Sequence, residues 1–250
     1  MSGGKVKLYL TCMTCFQELG RPSDISYPAE LQDAGYYQFK CVNGHTSRTR
    51  LQNPKFEVLF ELGLNAIHDG YYREAVSSFT SALERFYEYT IKVLFKSNAI
   101  DKSLLEAIWK QVSNQSERQY GAYVFLYSFV EHISPPKLSN SKVKFRNEVI
   151  HKGKIPTKSE AISYGEAVSD VILPVLVTLK SKHDKAMGEM VFEHLIEMTP
   201  QDDRYEQIST MNIGSTLSTT TAEIAKPDLN KSLEYIAKTK KHYELYGKFT

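Results

Sequence analysis

Between about residues 54 and 182, apolar positions recur three and four apart in runs separated by glycine, proline and short polar stretches, the signature of packed helices. In "YYREAVSSFTSALERFYEYTIKVLF", Ala75, Val76, Phe79, Ala82, Leu83, Phe86 and Tyr89 form one stripe, which predicts a core helix of about 25 residues. Before it, Leu59, Leu62, Ala66 and Ile67 repeat at helical spacing from Asn53-Pro54 to Asp69-Gly70. "SLLEAIWKQV" and "QYGAYVFLYSFVEHI" read as two further helices, the second ended by Pro135-Pro136. A helix capped by Ser141 is expected to stop at Gly153 and Pro156, because glycine accepts the left-handed C′ position and proline cannot continue the ladder. "KSEAISYGEAVSDVILPVLVTLKS" completes six segments, with a kink expected at Pro174.

The flanks have a different texture. Residues 1–50 are aromatic and rich in breakers (Gly20, Pro22, Pro28, Gly35, Gly44), and "YYQFKC" alternates as a short strand does. Beyond Asp184, "KAMGEMVFEHLIEM" and "DLNKSLEYIAKTKKHYELY" read as helices, whereas "ISTMNIGSTLSTTTAEI" is polar, Thr-rich and more suited to extended chain. The expected architecture is mainly α: a small β module over residues 1–50, a helical bundle over 54–182, and a C-terminal extension over 184–250.

Composition fits a soluble, intracellular globular protein of 250 residues, with 42% apolar and 24% charged residues. No apolar run approaches the roughly 20 residues needed to cross a bilayer, and the first residues lack the apolar core of a secretory signal. A net charge of +2 does not by itself mark a nucleic-acid binder, but its distribution is uneven. Lys137, Lys142, Lys144, Arg146, Lys152 and Lys154 face the single acid Glu148 within one stretch, a local charge of +5.

All three cysteines fall in the first 41 residues, as C-x2-C (Cys12, Cys15) and C-x3-H (Cys41, His45). Two thiolate knuckles and an imidazole make a tetrahedral zinc set, and Gly44 permits the tight second knuckle. The competing reading is a reduced, buried cysteine trio beside an unrelated surface histidine. Zinc is favoured because so short a segment, poor in aliphatic residues, needs a staple. The pattern resembles a zinc ribbon over residues 8–50, with His45 replacing the usual fourth cysteine. Four protein ligands leave no open position, so such an ion is structural.

Two further resemblances concern the helical region. Leu62, Gly63, Ala75, Phe79 and Ala82 match one tetratricopeptide hairpin, but Ser97 and Trp109 stand where a second copy needs glycine and alanine. The match is generic hairpin packing. The stretch "KFRNEVIHKGK" carries Arg146, Asn147 and His151 near a helix end, following the long helix. This layout resembles the HEPN ribonucleases, whose motif is an arginine, a polar residue directly after it, and a histidine four to six residues further on.

That resemblance implies a metal-independent attack of an RNA 2′-hydroxyl on the adjacent phosphate. His151 would carry protons and Arg146 stabilise the anionic transition state, with Asn147 positioning phosphate or histidine and Lys142, Lys144, Lys152 and Lys154 holding RNA. Arg146 lies about 140° around the helix from His151, so a two-fold partner that brings a second motif across the cleft is implied. A homodimer, RNA as ligand, a protein regulator, a cytoplasmic location and a defence or toxin-like role belong to the same expectation. His151 in the last turn favours its imidazolium form through the helix dipole. The alternative is a noncatalytic adaptor in which Arg146 and His151 are solvated helix-end residues and the ribbon and basic helix hold nucleic acid or protein. No P-loop, dinucleotide fingerprint or serine-nucleophile elbow is present.

Overall fold

The computed structural model of the chain describes residues 7–21, 25–203, 207–221 and 226–246. The expected breaker Pro22 and the side chain of His242 lie outside them. The fold is mainly helical, with eight α-helices among the described residues and small β-sheets toward the N-terminus. Its residues group into two compact units, one from 1–53, 191–214 and 234–250, the other from 54–190 and 215–233.

In the first unit, β1 (Lys7–Leu10) pairs antiparallel with β2 (Tyr27–Glu30), and α1 (Met13–Leu19) lies between them in sequence. The "YYQFKC" strand is β3 (Tyr36–Lys40), which forms a hairpin with β4 (Thr46–Leu51), placing Tyr36 opposite Arg50 and Lys40 opposite Thr46. β4 buries alternate residues Ser47, Thr49 and Leu51, the period of a strand with one covered face. The polar "ISTMNIG" segment supplies β5 (Ser209–Met211), parallel to β4 with Thr49 opposite Ser209. Asn53 extends the pairing with its side chain: its Nδ2 donates to the Ile213 carbonyl at 3.3 Å and its Oδ1 accepts from the Ile213 amide at 2.8 Å. Arg50 Nη1 donates to Leu195 O at 3.0 Å and Thr199 Oγ1 at 2.8 Å, so residues near 200 also belong to this unit.

The second unit contains α2 (Lys55–His68), α3 (Tyr72–Ser97), α4 (Lys102–Val112), α5 (Ser116–Glu131) and α6 (Asn140–Lys152). It also takes residues 158–190 of α7 (Lys158–Glu197) and the first turn of α8 (Leu229–Tyr246). All seven residues of the α3 stripe are buried, as expected. The helix expected from Leu59, Leu62, Ala66 and Ile67 is α2, and its buried face is centred elsewhere than on that stripe. Phe56, Phe60, Gly63, Leu64 and Ile67 point inward with Glu57 and Glu61, while Leu59, Leu62 and Ala66 are half-buried. The two acids are tolerated because a distant segment supplies their hydrogen bonds: Glu57 accepts from Ser215 Oγ at 2.8 Å and Thr219 N at 2.6 Å, and Glu61 accepts from Thr216 N.

Phe79 is the pivot of this packing. Its ring lies 4.8 Å from that of Phe60 and runs over Gly63 of α2 and Gly165 of α7. A Cβ at Gly63 would sit 2.5 Å from one edge of the ring, and at Gly165 2.8 Å from the other, so both neighbours must lack side chains. α7 is the one helix among the described residues long and apolar enough to cross a membrane. Val168, Ile172, Leu176 and Leu179 are nevertheless core residues. Its irregular backbone is at His183 (φ −128°, ψ 19°) rather than at Pro174.

Two outcomes follow from this core. Gly63→Ala gains about 1 kcal/mol of helix propensity but overpacks a ring held on both sides, at a cost of about 1–3 kcal/mol. A lowered melting temperature is expected, with Gly121→Ala, whose Cβ meets nothing within 4 Å, as the neutral or stabilising control. Glu61 is the second case: burial pushes its carboxyl from 4.5 up to about 7, against the Thr216 hydrogen bond. The unfolded chain therefore releases this proton first, and stability should fall as pH rises from about 4.5 to about 7 by a component on the order of 3 kcal/mol. In Glu61→Gln that component disappears, which denaturant melts at pH 5 and pH 8 measure directly.

Candidate metal centre and basic helix

Cys12 stands at the N-cap of α1 and Cys15 in its first turn, where the Phe16 amide donates to Cys12 O at 3.0 Å and closes the first knuckle. The second knuckle is the β3–β4 turn. Cys41 N donates to His45 O at 2.9 Å, and Gly44 N donates to Cys41 O at 2.9 Å with φ +85°, a conformation that favours glycine. The two knuckles bring Cys12, Cys15, Cys41 and His45 together, with ligand atoms all within 4.8 Å of one another. Tyr27 and Phe39, rings 4.8 Å apart, pack against the thiols, and Tyr27 Oη accepts from Val42 N at 2.9 Å.

The spacings suit one ion. Around a tetrahedral zinc-sized ion, sulfur–sulfur edges are about 3.8 Å and sulfur–nitrogen edges about 3.6 Å. Cys15 and Cys41 sulfurs lie 3.8 Å apart, and His45 Nδ1 lies 3.4 Å from Cys15 Sγ and 3.9 Å from Cys12 Sγ. Burial and the neighbouring ligands act on the thiols in opposite directions. Burial pushes Cys15 up to about 11 with only its Asn43 hydrogen bond opposing, whereas hydrogen bonds from Cys15, His45 and Cys41 outweigh burial at Cys12 and bring it to about 7. Three thiolates cannot share this space unless a divalent ion offsets their charge. The arrangement is therefore compatible with a closed, structural metal site.

Two supporting residues escape the ligand spacing. Glu18 Oε1 lies 3.5 Å from His45 Nε2, the nitrogen turned away from the cluster, and would so help hold Nδ1 toward an ion bound there. Asn43 Nδ2 donates to Cys15 Sγ at 3.4 Å. Glu18 follows Cys15 by three positions on α1, one helical turn; that spacing is the only trace of it in the sequence.

The expected basic helix is α6. Ser139 rather than Ser141 caps it, accepting from Lys142 N at 3.4 Å, and it ends at Gly153 with φ +73° as anticipated. Val149 is fully buried and Phe145 lies 5.7 Å from the Tyr164 ring, which sets the rotation of the helix. Arg146 consequently turns partly inward, within electrostatic reach of Glu84, Tyr87 and Tyr164. Burial raises the Glu84 carboxyl and the Arg146 charge draws it back. Arg146 Nε is buried without a hydrogen-bond partner among the described residues.

Asn147 is half-buried and His151 exposed. Among the described residues no hydrogen bond or ion pair joins these two to Arg146 or to one another. The four lysines divide. Lys142 Nζ donates to Ser163 O at 2.8 Å and Oγ at 2.7 Å. Lys154 pairs with Glu160 at 2.9 Å and lies 4.8 Å over the Phe145 ring. Lys144 and Lys152 are exposed and carry no partner among the described residues.

Purified protein is expected to carry about one metal ion per chain, lost in Cys12→Ser. Glu18→Gln should keep the ion but bind it about 10-fold more weakly, the lower end of outer-shell effects because Glu18 is well exposed. Elemental analysis and competition with a chelating dye read both. Compared with family models, curated proteins and solved structures, the chain matches none of them.

Proposed function

We propose that this chain is a metal-independent endoribonuclease of the HEPN type, with a structural zinc in the Cys12, Cys15, Cys41 and His45 cluster. One observation carries the reading: α6 keeps Arg146 half-buried beside Glu84 with an unpaired Nε, while His151, Lys144 and Lys152 stay exposed and uncommitted on the same helix. An arginine that served only to neutralise Glu84 would be expected to spend its donors on it. Here a guanidinium whose buried Nε makes no hydrogen bond and an exposed proton-transfer group lie within six residues of each other.

In this reading Lys144 and Lys152 hold the RNA backbone, and the 2′-hydroxyl attacks the neighbouring phosphorus. His151 relays protons between the attacking and leaving oxygens, and Arg146 stabilises the crowded anion that forms. Asn147 orients phosphate or imidazole. A two-fold partner supplies the second motif, which explains why a single chain leaves Arg146 and His151 unjoined. A cytoplasmic, defence or toxin-like role belongs to the same proposal. The second reading, a noncatalytic adaptor, draws on a separate observation: Arg146 lies within electrostatic reach of Glu84 and turns partly inward, while His151 is exposed at the helix end, as for residues with no shared chemistry.

His151 is exposed, so His151→Ala should fold normally. Mixed RNA incubated without added magnesium is expected to yield 2′,3′-cyclic phosphate and 5′-hydroxyl ends with the wild type. Cleavage should fall about 100-fold or more in His151→Ala, and DNA of the same sequence should stay intact. RNA retained but uncut, equally by both proteins, supports the adaptor.

A further inference from the structure

Three irregularities of the bundle backbone converge on one set of side chains. Ala99 (φ +54°) and His132 (φ +58°) are the two non-glycine residues with positive φ among the described residues. Ala99 lies two positions after Ser97, and His132 directly follows Glu131. The third irregularity is His183, where α7 loses helical geometry. These breaks bring Ser97, Glu131 and His183 into one hydrogen-bonded line. Ser97 Oγ is 2.6 Å from His183 Nδ1, and His183 Nε2 is 2.7 Å from Glu131 Oε1. The Glu131 and His183 side chains are 2% and 9% exposed, and Ser97 is open to solvent. Lys182 Nζ donates to the other Glu131 oxygen at 2.6 Å. None of these residues lies on α6.

Buried charge is retained here although an apolar joint would cost less. A carboxylate held by Lys182 orients the imidazole with an Nε2 proton toward Glu131, which turns Nδ1 to the Ser97 hydroxyl. Oriented carboxylate, imidazole and exposed hydroxyl are the parts of an activated nucleophile, and strained backbone gathers at such sites.

We propose that Ser97, His183 and Glu131 form a second reactive site, in which Ser97 is a nucleophile toward small activated acyl esters. Ser97 Oγ bonds to the acyl carbon as the ester C–O bond breaks, and the hydroxyl proton passes to His183 Nδ1 and then to the leaving alkoxide. Water then attacks the acyl-serine, giving its proton through His183 back to Ser97 Oγ and releasing the carboxylic acid. Glu131 stays ionised throughout and acts as a positioning residue.

Full-length protein mixed with p-nitrophenyl acetate tests this. A burst of nitrophenolate is expected, with an acetyl group mapped to Ser97 by mass spectrometry. Ser97→Ala, at an exposed position, should fold normally and lose the burst, and His183→Gln should slow it about 100-fold. Ring ¹⁵N shifts should report Nδ1 unprotonated in the wild type and a mixture of tautomers in Glu131→Gln, with slower acetylation. Acetyl groups confined to lysines, or an unchanged burst in Ser97→Ala, overturn the proposal and leave the cluster as a tie between helix ends. Because an acetyl group mapped to Ser97 involves no residue of α6, its failure is separable from that of the ribonuclease reading.

Discussion

The Phe79 ring needs bare backbone on both sides, and much of the bundle follows from that requirement. Gly63 of α2 and Gly165 of α7 let both helices approach α3 more closely than any side chain would allow. Phe56 then reaches Phe86 at 5.0 Å and Tyr89 at 5.2 Å, extending the aromatic contact along α3. Such close approach leaves little room for α2 to rotate, and it directs Glu57 and Glu61 inward. Their carboxylates are acceptable there only because residues 215–219 return to donate to them, so a polar segment with little apolar content of its own is drawn into the bundle.

The first unit meets the opposite problem. It has little aliphatic core, and its order comes from polar and metal-ligating groups: thiols and an imidazole gathered by two knuckles, an asparagine that imitates a strand edge, and an arginine bound to the carbonyl of Leu195. The four clustered ligand atoms are compatible with a metal ion, which would stand in for the missing hydrophobic burial. Glu18 adds direction to the site by holding the outward nitrogen of His45.

The proposed chemistry sits where these constraints leave groups unused. On α6, burial of Val149 fixes the rotation that half-buries Arg146 and keeps His151 in solvent. At the ends of α3 and α5, where Ala99 and His132 adopt positive φ, and at the break in α7, Ser97, Glu131 and His183 lie in one hydrogen-bonded line.

The sequence by itself determined what depends on local period and local chemistry. The seven-residue stripe of α3 is legible because a 3.6-residue repeat needs no partner to be recognised, and the C-x2-C and C-x3-H knuckles because ligand spacing is set by a short loop. Gly44 and Gly153 are legible too, since only a few residues adopt positive φ without strain. Tertiary structure decided the rest. The spacing of Leu59, Leu62, Ala66 and Ile67 reveals the α2 helix but not its buried face, because the groups that make two glutamates buriable lie about 155 residues away, as in the Glu61 to Thr216 bond. The β4–β5 pairing, the Ser97–His183–Glu131 line and the inward turn of Arg146 likewise join residues far apart in the chain. Such contacts leave no periodicity behind, because they are chosen by whichever surfaces the packed helices bring together.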